Sequence, residues 1–204
     1  MIHLTGFYWI LLTGALFGLI HSGLASNWSK NLAARWFGEQ SRSYYRLFFV
    51  LVAALTTMFY LALTFTLPDR PIYHIPAPWV YLTLSIQAAA VIGALVGLSQ
   101  ICTSCFLGLD ALPWFRRENT ADQPQILVTG KLYRWVRHPI YSCLLIFLFC
   151  SPWMSWNLLA FTLGVLIYTI IGAVFEERKM VQQFGNVYIE YQKKTPMFIP
   201  LRLK

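Results

Sequence analysis

Four stretches of this chain carry no Lys, Arg, Asp or Glu: Met1–Ser29, Leu47–Pro68, Pro71–Leu109 and His138–Phe175. A helix that crosses a bilayer needs about 20 apolar residues, and each stretch is long enough to supply at least one. Only 12% of the residues are charged, against roughly 25% in a soluble domain. A polar coat therefore cannot be built. This excludes an ordinary cytosolic enzyme, a disordered chain and a disulfide-stapled secreted module. The expected fold is an all-α polytopic membrane helical bundle.

The stretches divide into about five transmembrane helices. The first is expected over Phe7–Leu24, the second over Leu47–Leu67 and the third over Trp79–Gln100. The first lacks a basic n-region and a small-residue cleavage site, so it reads as a retained span rather than a signal peptide. His138–Phe175 is too long for one span and contains the turn-forming run Ser151-Pro152-Trp153-Met154-Ser155-Trp156-Asn157. A hairpin is expected there, with a fourth helix around Pro139–Cys150 and a fifth over Asn157–Phe175. The fourth is short, which suggests a start near Lys131 with a bend at Pro139. Beyond Phe175, Met180, Phe184, Val187 and Tyr191 recur at helical spacing. The fifth helix should thus continue as an amphipathic tail helix to Lys194.

Charge sets the expected orientation. All of the 16 Lys and Arg residues except Arg70 fall in the segment between spans one and two, the segment before span four, or the tail. The positive-inside rule then puts the N-terminus outside and the C-terminus in the cytoplasm. In a bacterium the membrane would be the cytoplasmic one. The tryptophans agree: Trp9, Trp79, Trp153 and Trp156 fall at expected outer ends, and Trp28, Trp36, Trp114 and Trp135 at or beyond inner ones. The net charge of +8 is accounted for by orientation and lipid contact, with no call for nucleic acid.

Within a hairpin, the start of the first helix and the end of the second return to one side. Arg137, His138 and Tyr141 should therefore meet Glu176 and Glu177 at a membrane interface, where polar clusters serve function or anchor helices. Other features read more plainly. His21 lies near the inner end of span one, where it borders an acceptor or hydrogen-bonds a neighbouring helix. Cys102-x-x-Cys105 lacks a second ligand pair for a metal and reads as two free thiols. Gly14 and Gly18, and Gly93 and Gly97, allow helices to approach closely.

The run Leu127-Val128-Thr129-Gly130-Lys131-Leu132-Tyr133-Arg134-Trp135-Val136-Arg137-His138-Pro139-Ile140-Tyr141, followed by Phe175-Glu176-Glu177 and Phe184-Gly185-x-x-Tyr188-x-x-Tyr191, resembles the membrane methyltransferase superfamily. That group includes isoprenylcysteine carboxyl, phospholipid N- and methanethiol S-methyltransferases. The similarity covers about the last 80 residues and leans towards the methanethiol branch, through Phe106-Leu107-Gly108-Leu109, Phe175-Glu176-Glu177-Arg178 and Pro196-Met197. It implies S-adenosyl-L-methionine as methyl donor. It further implies a cofactor-binding part over 101–204 and a variable three-helix part over 1–100.

Carried over by matched position, Gln125, Ile126, Leu127 and Val128 would line the cofactor with backbone groups. Tyr133, His138 and Tyr141 would contact it, and Glu176 would pair with its polar end. Arg137 would act as a cationic neighbour of the reacting acceptor, and no metal is implied. The acceptor would be small or lipophilic, with a thiol sulfur expected first and a prenylcysteine carboxylate or a phospholipid amine as the alternatives. A prenylcysteine carboxylate is disfavoured because Gly172 stands where those enzymes carry a substrate-contacting Arg. The segment around His21 and Tyr45-Arg46-Leu47 is also similar to membrane proteins related to the haem-binding carotene isomerase, which leaves a non-catalytic or haem-binding protein as the alternative class.

Overall fold

The computed structural model describes residues 5–112, 114 and 127–200. Almost all of its regular structure is helical. Long apolar helices follow one another as α1 (Phe7–Ala25), α3 (Ser41–Thr66) and α4 (Trp79–Ser99), with a short α2 (Asn27–Phe37) between the first two. After α5 (Thr103–Leu107) come α6 (Pro139–Phe149), α7 (Trp156–Phe184) and α8 (Asn186–Lys194). Four of these, α1, α3, α4 and α7, are long and apolar enough to cross a membrane; α6 is shorter and equally apolar. The protein is an integral membrane protein of the all-α class.

The chain forms two compact units. One holds α1, α2, α3, α5 and the beginning of α7. Its interior is sealed at one end by Asn157, which is fully buried and whose amide nitrogen donates to the carbonyls of Leu67 and Pro68 at 3.1 and 3.2 Å. These carbonyls lie at the end of α3, where no intrahelical donor reaches them. The Asp69 carboxylate answers at the other helix, accepting from the Asn157 backbone N–H at 3.0 Å. Gly6 N–H closes the same end by donating to Pro68 O at 2.7 Å. The start of α1, the end of α3 and the start of α7 therefore meet.

Deeper in this unit Tyr60 is buried against Phe161, with ring centres 4.8 Å apart. Its hydroxyl lies where only glycine leaves room: a Cβ on Gly14 would come within 2.5 Å of it. Gly14 thus admits a tyrosine as well as easing helix approach.

The other unit holds α4, α6, the remainder of α7 and α8, with a two-stranded antiparallel sheet of β1 (Pro71–His74) and β2 (Trp153–Ser155). The sheet takes up the stretch expected to be a simple turn. It ties the entry of α4 to the exit of α6, and Ile75 N–H donates to Pro152 O at 2.8 Å beside it. Along α4, Gly93 and Gly97 face α6, where added Cβ atoms would lie 2.9 Å from the Cys143 sulfur and 3.0 Å from Ile140 Cγ1. The small-residue spacing read from the sequence marks this seam.

Three expectations are corrected. The fourth helix does not begin near Lys131: Lys131–Arg134 is one 3-10 turn, and α6 starts at Pro139. Proline has no N–H to give and restricts the residue before it, so it opens a helix more readily than it bends one; His138, at φ −123° and ψ 65°, is already outside helical geometry. The tail is not one helix with α7, because Gly185, at φ 57°, separates α7 from α8, a conformation that suits glycine. Finally, Cys102 and Cys105 are joined in a disulfide rather than standing as free thiols.

Candidate methyl-donor site

The turn at 131–134 leads directly into Arg137, His138 and the first turn of α6, and α7 carries Glu176 and Glu177 past them. Neighbouring residues on a helix point about 100° apart, so the two glutamates have different surroundings. Glu177 is buried and receives a two-pronged contact from Arg137, Nε to Oε1 at 2.6 Å and Nη2 to Oε2 at 3.1 Å. Gln192 of α8 donates to Oε2 at 2.8 Å, and His138 Nε2 lies 3.2 Å from Oε1. The remaining arm of Arg137 donates to the carbonyls of Gln192 and Thr195 at the end of α8, at 3.1 and 2.5 Å. A planar guanidinium with fixed donors suits such a junction, and a lysine would not reproduce it.

The tail after α8 is strapped over the same place. Arg137 and His138 donate their backbone N–H groups to Pro196 O and Met197 O at 2.9 and 3.1 Å, and Ser142 donates to Phe198 O at 2.7 Å. His138 is thereby enclosed, stacked parallel on Tyr141 at 5.4 Å and packed near Phe198 at 5.7 Å.

Glu176 faces a more open setting. Its side chain is 42% exposed, accepts from the Tyr141 hydroxyl at 3.1 Å and has His138 Nδ1 at 3.8 Å. An ionised carboxylate offers about four acceptor sites, so capacity remains for a cationic or hydroxylated ligand. Tyr133 sits in the 3-10 turn, where burial and then the Glu176 charge push its phenol above the ordinary range, so it stays a donor. Its backbone carbonyl accepts from the Tyr191 hydroxyl at 2.5 Å, and burial pushes the Tyr191 phenol up to about 12.

Of the residues singled out from sequence, Arg137, His138, Tyr141 and Glu176 are thus brought together, with Tyr133 close enough to feel the Glu176 charge. Leu127 and Val128 are half-buried in the irregular segment just before the turn. Gln125 and Ile126 lie outside the described residues. His21 belongs to the other unit, on α1, with Phe49 and Phe17 ring centres 4.5 and 5.3 Å away. Glu177 was expected in the cluster, though not its burial against Arg137, and Gln192, which donates to it, was not singled out from the sequence. Tyr168, two turns before Glu176 and within its electrostatic reach, gave no signal against the other aromatics. Among the described residues no group of three His, Cys, Asp or Glu side chains is arranged to hold a metal.

The fold is a polytopic membrane bundle in which an Arg–His–Tyr cluster at one helix start faces paired glutamates on a long neighbouring helix. The chain is 30% identical over 205 residues to a methanethiol S-methyltransferase of Pseudomonas sp. strain GM41, covering 95% of this chain and 72% of that one. It belongs to the family of membrane methyltransferases that holds the methanethiol S- and isoprenylcysteine O-methyltransferases, and it is an enzyme of that kind. Methanethiol S-methyltransferase 1 of Bradyrhizobium diazoefficiens is 33% identical over 108 residues, spanning 53% of this chain and 34% of its own. A protein-S-isoprenylcysteine O-methyltransferase of Xenopus laevis is 30% identical over 95 residues, 41% of this chain and 30% of its own. No family model matches the chain, and no solved structure does.

Proposed function

We propose that the enzyme uses S-adenosyl-L-methionine to methylate the sulfur of a small thiol, with its donor site on the cytoplasmic side of the membrane. The half-exposed Glu176 carboxylate, oriented by Tyr141 beside an enclosed His138, carries the proposal. It offers an acceptor with spare capacity, which suits a donor bearing an ammonium and ribose hydroxyls. When bound, this donor supplies an electrophilic methyl group on a sulfonium sulfur. Glu176 binds its polar end, Tyr133 and His138 contact it, and the backbone of Leu127 and Val128 lines it.

Arg137 acts as a positioning residue in this reading. Its donors go to Glu177 and the end of α8, which holds His138 and the tail strap in place. Positioning and exclusion of water supply much of the catalysis in a simple displacement. A thiol, with an unperturbed pKa of about 8.5, asks for little acid–base machinery once it is an anion. The names of the relatives and the glycine at position 172 both favour a thiol over a prenylcysteine carboxylate.

The test is a transfer screen with methyl-labelled donor and detergent-solubilised protein, offering small thiols, a prenylcysteine analogue and extracted lipids separately. Label in the small thioether product supports the reading. Label only in the prenylcysteine ester or in lipid would refute the thiol assignment.

A further inference from the structure

Gln100 closes α4 and leaves a strong acceptor without a donor. Its side-chain Nε2 donates back to Val96 O at 2.8 Å, which fixes the direction of the amide. Its Oε1 is shut off from solvent and accepts no hydrogen bond among the described residues. Three other buried polar atoms share that condition, on Tyr60, Asn157 and Thr162, and all three belong to the unit of α1 and α3. Gln100 belongs to the unit that carries Arg137, His138, Tyr141 and Glu176. Native structures pair nearly all such groups, and the exceptions call for a partner.

The seam with α6 sets where this acceptor lies. Gln87 Nε2 donates to Phe147 O at 2.8 Å, Gly93 faces Cys143, and Gly97 faces Ile140, so α4 and α6 run antiparallel. Gly97 is seated so closely that an added Cβ would lie 3.0 Å from Ile140 Cγ1 and 3.9 Å from Ile140 N. Gln100, one turn further on, is therefore carried past Ile140 towards His138 and Arg137. The same helix packs on the 3-10 turn of Lys131–Arg134, which holds Tyr133. Gln100 and Glu176 thus approach one turn from two helices, α4 and α7.

The chemistry of the acceptor narrows what it can take. An amide oxygen carries no net charge, and a cation in a sheltered place needs a counter-charge rather than a neutral dipole. The ammonium of S-adenosyl-L-methionine accordingly belongs with Glu176. Its ribose hydroxyls both donate and accept, which suits the same open edge. The adenine 6-amino group is uncharged and only donates, so it matches a sheltered neutral acceptor. We propose that Gln100 is a further donor-binding residue, with Oε1 accepting a hydrogen bond from the adenine 6-amino group. This inference rests on the S-adenosyl-L-methionine reading above.

The test compares S-adenosylhomocysteine with S-inosylhomocysteine, which carries a carbonyl oxygen in place of the amino group, by calorimetry on the full chain in detergent. With the second ligand two acceptors would face each other, so the native protein should prefer the first about ten- to hundredfold. Gln100→Met keeps the length of the side chain and removes the acceptor. It should weaken S-adenosylhomocysteine binding about tenfold and shrink the preference to about threefold or less, a change that a merely structural role would not produce. Gln100→Asn draws the amide back by one methylene and covers the case in which the methionine variant fails to fold; the preference should narrow there too. A folded variant of either kind that keeps the full preference, or a native protein that binds both ligands alike, would overturn the assignment of Gln100 and leave the donor reading standing. A native protein that binds neither ligand would overturn the donor reading, and this inference with it.

Discussion

Glu176 and Glu177 are one residue apart and do different work, because the helix turns one into a buried junction and leaves the other at an open edge. Removing the charge of Glu177 strands Arg137 in a place where both side chains are about 10% exposed. Breaking such a pair costs about 3–5 kcal/mol. Glu177→Gln should therefore lower the chemical-denaturation stability of the detergent-solubilised protein by that order, and an unchanged midpoint would refute the structural role. Arg137→Lys loses the fork and at least one carbonyl contact, so it should destabilise as well, by less. Glu176→Gln should leave the denaturation midpoint nearly unchanged while weakening donor binding. Tyr141→Phe removes only the hydroxyl that orients Glu176, and calorimetry should find donor affinity reduced several-fold, at about 1 kcal/mol for a single hydrogen bond.

At the scale of elements, the seam between α4 and α6 is set by Gly93 and Gly97. Gly93→Val should cost about 1–3 kcal/mol through overpacking, and Cys143→Ala should recover part of it by opening space opposite. A double-mutant cycle measured by thermal unfolding checks this; strict additivity would mean that the two positions do not touch. The long helices were legible in the sequence because hydrocarbon admits no alternation. A charge-free run of that length has one backbone solution, and α1, α3 and α4 end within a residue or two of the expected limits on most sides. Exceptions arose where local backbone chemistry outweighs composition. Pro139 opens a helix instead of bending one, and Gly185 splits a periodic stretch that its apolar residues alone would carry through. The β1–β2 pair joins segments about 80 positions apart, and nothing local in either one announces the partner.

The site was legible in a similar, partial way. Arg137, His138, Tyr141 and the two glutamates could be placed together from span lengths and a hairpin. Which glutamate would be buried depended on helix phase at one residue's resolution, and the same uncertainty hid the engagement of Arg137 with Gln192 and Thr195.

For the whole molecule, sidedness is the consequence with the widest reach. Glu176 lies about 30 Å along α7 from Trp156, roughly the thickness of a hydrocarbon core. With Trp156 in one interface, Glu176 stands in the other. Single cysteines placed at Asp69 and at Lys193 should accordingly react with a membrane-impermeant maleimide from opposite faces of oriented vesicles, the first from outside. Labelling of both from one face would contradict the proposed topology.

The most direct measurement on the central claim is equilibrium binding of S-adenosyl-L-methionine to the purified protein and to Glu176→Gln. The account predicts saturable binding by the native protein, and a Kd raised about ten- to hundredfold in a variant that melts normally. Equal affinity in the two proteins would contradict it.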